Sequence, residues 1–211
     1  MKTDMLIRVL TADAARPVIP IGRLLSIALA AGAVASLALF ALLLEPRADL
    51  PDAIRGFGLT MKIGFAGCLL ATAGVSLGAM ARPLPPRRIL RGLALAPLLL
   101  AAAVVATLVT SPPSTWATQL VGHNPMGCLV HIWLLSVVPA CLLMAALKHG
   151  APARPGLAGA IAGLAAGALG ASLFAFACPE DSLLFVATWY SLAIVTITAL
   201  CYCIGRRWLR W

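Results

Sequence analysis

Long apolar runs dominate the chain and constrain its fold more than any other feature. Of the 211 residues, 62% are apolar and 11% are charged, against roughly 45–50% and 25% in a soluble domain. A helix needs about 20 apolar residues to cross a bilayer, because every backbone amide must be bonded internally there. The composition therefore excludes a water-soluble globule and predicts an all-α integral membrane protein.

Six stretches are long and apolar enough to cross the bilayer, so we predict a bundle of six transmembrane helices. The predicted spans are 24–44, 57–80, 92–111, 126–147, 156–177 and 183–204. The first run is longer than the roughly 7–15 apolar residues of a signal peptide, and we expect it to be a retained span. Pro97 and Pro139 interrupt the third and fourth spans and are expected to kink them.

The basic residues fall unevenly on the two sides of these spans. Thirteen of the sixteen Lys and Arg lie on the side that holds both termini, whereas five of the seven acidic residues lie on the other. Cytoplasmic loops are enriched in Lys and Arg. We therefore expect both termini to be cytoplasmic, and the net charge of +9 to reflect contact with a lipid bilayer rather than with nucleic acid.

Few ionisable side chains lie inside the predicted spans, which bears on transport. They are Lys62 and His131. Lys62 lies about five residues into its span, so its stem can carry the ammonium back to the outer interface. Since no Asp or Glu is expected at mid-membrane, the usual parts of a proton or cation relay are missing. A small transporter is therefore a disfavoured alternative.

A stripe of small residues marks one face of the fifth span. Gly159, Gly163 and Gly167 recur at every fourth position, a spacing that lets another helix approach closely. The simpler interpretation is that another helix of the same chain packs on this stripe. The alternative is that a second copy packs on it and forms a homodimer.

The six cysteines separate by position into two groups. Cys128 begins the fourth span and Cys178 ends the fifth, so both are predicted at the outer surface. If that surface faces a bacterial periplasm, a disulfide can persist there. The others are expected to be small apolar core residues; they are Cys68, Cys141, Cys201 and Cys203.

The outer thiols allow more than one kind of chemistry. They could form a disulfide or redox switch, capture a thiophilic metal ion transiently, or pack inertly. His131 is three residues after Cys128 and His123 precedes it, so both are candidate accessory ligands. The spacings match no standard zinc motif. We therefore expect no resident cofactor and leave the three alternatives open.

The segment before the first span has the spacing of a short helix. Thr3 and Asp4 suit a helix N-terminus, and Leu6, Ile7 and Leu10 form a narrow apolar stripe. We divide the chain into this N-terminal segment, 1–20, and a six-helix domain, 21–211. The spacing in this segment predicts either an interfacial helix on the inner leaflet or a helix that docks into a groove on a cytoplasmic protein.

The order of these features resembles the NrsF-type anti-sigma factors along essentially the whole chain. The resemblance rests on Asp4-x-Leu6-Ile7-x-x-Leu10, on the outer Cys128 and on the stretch that begins at Cys178. That stretch is the most specific part. It supplies Pro179, Glu180, Asp181, Ser182, Thr188, Trp189 and Tyr190.

The resemblance implies a multi-pass protein of the bacterial inner membrane that is not an enzyme. It implies that the chain holds an extracytoplasmic-function sigma factor inactive at the cytoplasmic face. It also implies that Cys128 and Cys178 sense a stress such as heavy metals or oxidants. The main alternative is a membrane thiol oxidoreductase, although that chemistry usually needs a vicinal cysteine pair on a mobile loop.

Overall fold

The part of the protein that the structure describes is mostly helical. The computed structural model describes residue 3 and residues 20–80, 91–150 and 152–210, and no strand occurs among them. The predicted docking residues Asp4, Leu6, Ile7 and Leu10 lie outside these ranges. The helices are α1 (Ile21–Leu43), α2 (Leu50–Ala53), α3 (Phe57–Met80), α4 (Leu95–Thr110), α5 (Trp116–Val121), α6 (Pro125–Lys148), α7 (Pro155–Phe174) and α8 (Leu183–Trp208).

Five of these helices are long and apolar enough to cross a membrane, namely α1, α3, α6, α7 and α8. Helix α4 is apolar but has 16 residues, or about 24 Å at 1.5 Å per residue. The hydrocarbon core is about 30 Å thick. The described fold is therefore five candidate spanning helices and a shorter apolar one, where six full-length spans were predicted.

Pro97 accounts for a break in the helical run just before α4. A proline has no N–H to donate, and its ring conflicts with the carbonyl four residues earlier. That residue, Leu93, lies in a turn, and the helix begins at Leu95. Arg91 and Gly92, before this turn, are helical, so the predicted third span is interrupted just before Pro97, as expected.

Pro139 lies inside α6 and shapes its contact with α1. The carbonyl of Leu135 loses its usual partner there, and the Ser36 hydroxyl donates a hydrogen bond of 2.6 Å to it. A Cβ on Gly32 would lie 2.7 Å from Pro139 Cα. Helix α1 therefore approaches α6 at its proline and satisfies the carbonyl that the proline leaves free.

Helix α7 is the central helix and packs closely on α8 through glycines. A Cβ on Gly159 would overlap the Cys201 carbonyl oxygen, and one on Gly163 would lie 2.7 Å from Cys201 Cβ. A Cβ on Gly167 would lie 3.3 Å from Ile194 Cα. The stripe is therefore occupied by α8 of the same chain, and we do not propose a dimer through it.

The remaining cysteines are only partly in the core. Cys201 is buried and Cys68 is half-buried, whereas Cys141 and Cys203 are exposed. The prediction of core positions is wrong for Cys141 and Cys203, because they lie on helix faces that point away from the bundle. A small apolar side chain is equally compatible with such a face in a membrane protein.

The two ends of the bundle differ in charge. At one end, Lys148 lies in the last turn of α6, and Arg206 and Arg207 lie in the last turn of α8. Gly156, in the first turn of α7, lies against Arg206, which places the start of α7 at this end as well. We call this the basic end. The opposite end, where α7 finishes and α6 begins, is called the cysteine end.

Candidate functional site

A cavity of about 220 Å³ at the cysteine end brings both predicted sensor cysteines together. Cys128 lies in the first turn of α6, and Cys178 lies just after α7. Both are free thiols, and they are 1% and 3% exposed. The structure therefore places the two cysteines at the same end, as predicted, but beneath the protein surface rather than on it.

The predicted accessory histidines line the same cavity but contact other groups. The His131 ring stacks on Phe174 with centroids 5.6 Å apart, and its Nδ1 lies 2.6 Å from the Gly127 carbonyl oxygen. His123 pairs with Glu180. Among the described residues, no group of three or more His, Cys, Asp or Glu side chains is arranged to hold a metal ion.

A buried ionic cluster fastens the segment that carries Cys178. Lys62 of α3 is fully buried; its ammonium donates to the Cys178 carbonyl at 3.0 Å and pairs with Asp181 at 2.9 Å. The Lys62 stem therefore carries the ammonium toward the cysteine end, as expected, but the ammonium is buried there against Asp181 rather than exposed at the interface. An unpaired charge at this depth would cost several kcal/mol. Lys62 avoids this cost because its ammonium is paired inside the protein.

Arg47 completes the cluster from the loop that follows α1. Its guanidinium binds the Asp181 carboxylate at 2.9 and 3.1 Å and the Asp49 carboxylate through two contacts of 2.7 Å. Such bidentate pairs are strong and fix orientation. The Arg47 backbone N–H also donates to the Phe176 carbonyl at 3.0 Å. The loop after α1 is therefore tied to the chain on both sides of Cys178.

These contacts set the charge of the carboxylates. Partial burial raises the pKa of Asp181, but hydrogen bonds from Arg47 and Lys62 outweigh it and hold that pKa below its ordinary value of 3.8. The hydrogen bond from Arg47 likewise lowers the pKa of Asp49. Hydrogen bonds to Asp49 and Asp181 raise the pKa of Arg47. The Arg47–Asp181 and Arg47–Asp49 pairs are therefore ionised at neutral pH.

The stretch that begins at Cys178 ends in a π-helical turn, Val186–Tyr190, which contains Thr188, Trp189 and Tyr190. Thr188 donates to the Leu184 carbonyl at 2.8 Å within this turn, and Trp189 Nε1 donates to the Leu120 carbonyl of α5 at 2.9 Å. The turn aims Tyr190 inward, and its ring centroid lies 6.0 Å from that of Phe174. Single π turns are frequent at functional sites.

The cysteine end also contains two buried hydroxyls without a hydrogen-bond partner among the described residues, those of Ser182 and Tyr190. Tyr190 belongs to the same buried cluster as Cys178 and Phe174. An unsatisfied buried polar group costs about 1–3 kcal/mol. The surroundings of Cys178 are therefore not held in a fully satisfied arrangement, in contrast to the ion cluster beside them.

Sequence reasoning missed Arg47, Asp49 and the pairing of Lys62. One signal could have found the pair, since an ammonium inside a span requires an acid, and Asp181 follows closely after the fifth predicted span. The role of Arg47 had no comparable signal, because loop basic residues usually face water.

Comparisons with known proteins point to one family over nearly the whole chain. The family model described as "Negative regulator of sigma F", NrsF, matches residues 10–211. The anti-sigma-F factor NrsF of Caulobacter vibrioides is 35% identical over 216 residues, and the match covers the full length of both chains. A probable anti-sigma-F factor NrsF of Azospira oryzae is 32% identical over 213 residues, again over both full lengths. No solved structure gives a significant match.

Proposed function

Because the chain belongs to the NrsF family of negative regulators of sigma F, we propose that it is a membrane-bound anti-sigma factor with no enzymatic step. The observation that carries the proposal is a family match over residues 10–211, together with two relatives that are named anti-sigma-F factors and align over their whole length. The partner is a sigma factor, and we infer one of the extracytoplasmic-function class.

We further propose the orientation in which this activity takes place. The protein lies in the bacterial inner membrane with its basic end and both termini in the cytoplasm, in keeping with the usual excess of Lys and Arg on that side. Helix α4 completes a set of six spans, since a bilayer can thin locally around a short hydrophobic helix. The cysteine end then faces the periplasm.

The proposed contact with the sigma factor is the segment before α1. It lies outside the described residues, so the proposal rests on its sequence pattern. The apolar side chains of Leu6, Ile7 and Leu10 recur at helical spacing beside Asp4. Burying such anchors stabilises a helix in a groove by about 1.5–3 kcal/mol each, before the costs of association.

A fractionation experiment tests this contact. Replacing Leu6 and Leu10 with Asp should release the sigma factor from membranes into the soluble fraction while the variant itself stays inserted. Ala12→Asp with Ala15→Asp is the matched control, because it adds the same two charges to the segment away from the apolar stripe. Retention of the sigma factor by the first variant, or equal release by both, would reject this segment as the main contact.

We propose that Cys128 and Cys178 sense metal or oxidant at the periplasmic side. Both thiols line one cavity and are free. Peroxide would take two electrons and two protons from the pair, forming one S–S bond and two water molecules. A thiophilic metal ion would instead displace the thiol protons. Either reaction changes the packing between α6 and the segment after α7, which provides a route to the partner.

A reporter driven by the partner sigma factor tests this sensing. Cys128→Ser and Cys178→Ser should each abolish induction by cadmium or peroxide while repression at rest is kept. Cys203→Ser is the matched control, because Cys203 is exposed and lies near the basic end. Normal induction in the two serine variants would exclude the cysteine pair as the sensor and leave the anti-sigma role itself standing.

A further inference from the structure

An apolar groove runs between α6 and α8 on the outside of the bundle. Its volume is about 370 Å³, within the range of small-molecule sites. The α6 wall includes Trp133, Val137 and Met144, and the α8 wall includes Ile197, Leu200 and Trp208. The groove does not share a lining residue with the cavity that holds Cys128 and Cys178.

The length of the groove matches one leaflet of a bilayer. From Trp133 to Met144 the wall on α6 covers about 17 Å at 1.5 Å per residue, and half of the hydrocarbon core is about 15 Å. On α6 this wall begins about 12 Å from the start of the helix and crosses its middle, whereas on α8 the wall runs from Ile197 to Trp208, the part of that helix next to the basic end. An extended acyl chain of that leaflet fits this geometry.

The two ends of the groove differ in chemistry. At the mid-membrane end, Trp133 Nε1 donates to Thr196 Oγ1 at 3.0 Å, so this indole is already satisfied. At the other end, the Lys148 ammonium lies 4.7 Å from the centre of the Trp208 ring. Arg206 and Arg207 lie in the same last turn of α8 as Trp208. An apolar channel thus leads to the Lys148 ammonium at the basic end of the bundle.

We propose that this groove binds one anionic phospholipid, with an acyl chain along α6 and α8 and the headgroup phosphate against Lys148. Charge complementarity favours this occupant, because basic residues at the ends of membrane helices attract anionic headgroups. It disfavours a second copy related by an axis along the membrane normal, since that arrangement would bring two basic ends together. The proposal does not depend on the anti-sigma role.

Native mass spectrometry of the full chain tests the proposal. The protein is released from nanodiscs that contain phosphatidylglycerol and phosphatidylcholine in equal amounts, and the retained lipids are identified by mass. We expect preferential retention of one phosphatidylglycerol. Lys148→Gln should reduce that preference about fivefold, the effect of one basic residue near an anionic headgroup. Arg23→Gln is the matched control, because it removes one charge from the start of α1, away from the groove.

A second pair of variants tests the acyl-chain position. Val137 lines the groove and is 54% exposed, whereas Val130, two helical turns earlier, is 56% exposed and lies outside it. Both sites can accept a larger side chain without disturbing the core, so Val137→Trp should lose the lipid while Val130→Trp keeps it. Equal retention of both lipids, lipid binding that survives Val137→Trp, or a lipid-free dimer that Val137→Trp dissociates would each overturn the proposal.

Discussion

Two regions of the molecule are held together by different forces. Along α7 and α8, glycines bring the backbones so close that a Cβ on Gly159 would overlap the neighbouring helix. At the cysteine end, Lys62, Arg47 and Asp181 hold the chain through charges and hydrogen bonds beside a cavity. Close packing resists any change in volume, whereas groups around a cavity can move when their chemistry changes. We infer that the cysteine end receives the signal and that the α7–α8 pair forms the rigid frame.

The largest expected effect comes from breaking the ion cluster. Asp181→Asn leaves Lys62 buried without its carboxylate, and removing one partner of a buried pair costs about 3–5 kcal/mol. We expect the low end of that range, because the Asp181 side chain is 39% exposed. Thermal unfolding in detergent should show the loss, and Cys178 should react faster with a maleimide. Asp52→Asn, in the short helix α2, should change neither; equal stability of the two variants would show that the cluster contributes little.

Filling the helix contact should have the next largest effect. Gly159→Ala places a Cβ against a backbone carbonyl that cannot move aside, and such overpacking costs about 1–3 kcal/mol. Gly64→Ala is the matched control, since no atom lies within 4 Å of its added Cβ. It should stabilise α3 by about 0.5–1 kcal/mol through helix propensity. Unfolding curves that shift in the same direction for both variants would contradict the close-packed frame.

A smaller effect is expected at the proline of α6. Ser36→Ala removes the donor to the Leu135 carbonyl, and hydrogen bonds between membrane helices contribute about 0.6 kcal/mol on average. Ser26→Ala is the control, because its hydroxyl donates to Gly22 within the same helix. A difference in unfolding temperature between the two variants would measure the contact between α1 and α6. No difference would mean that water or lipid replaces the donor at no cost.

The smallest expected effect is a change in the protection of Cys178 at acidic pH. The pKa of Asp181 is below 3.8 in the folded protein, so its contribution to stability is fully present above that value. It is lost as the pH falls through the lowered pKa. Maleimide reactivity of Cys178, divided by that of a free cysteine peptide at the same pH, should therefore be constant between neutral pH and about pH 5 and rise below 3.8. In Asp181→Asn this rise should be absent, and a rise that persists would assign it to another group.

The helices were largely predictable from the sequence because bilayer thickness imposes a minimum apolar length. Five predicted spans correspond to long helices, with ends that differ by a few residues. The exception is the region 92–111. Its hydropathy predicts a span, but a turn at Leu93 and Ala94, just before Pro97, separates the helical residues 91–92 from the helix that begins at Leu95. Hydropathy averages over a window and does not register a single missing hydrogen-bond donor.

The candidate site was predictable in its cysteines and not in its ion cluster. Cys128 and Cys178 fall at helix ends on the same side, which a count of spans can show. The pairing of Lys62 with Asp181 joins residues far apart in the sequence, so it depends on how α3 and α7 pack. Helical spacing in the sequence identifies residues that share a face, but it does not identify the helix opposite that face.

The most direct test of the central claim measures sensing and release in one sample. Open membrane fragments that carry the bound sigma factor are exposed to cadmium or peroxide, and the free thiols at positions 128 and 178 are counted by mass tagging. The account predicts that soluble sigma factor rises in step with the loss of these thiols, and that the Cys128→Ser, Cys178→Ser double variant retains its partner. Loss of both thiols without release, or equal release from the double variant, would contradict it.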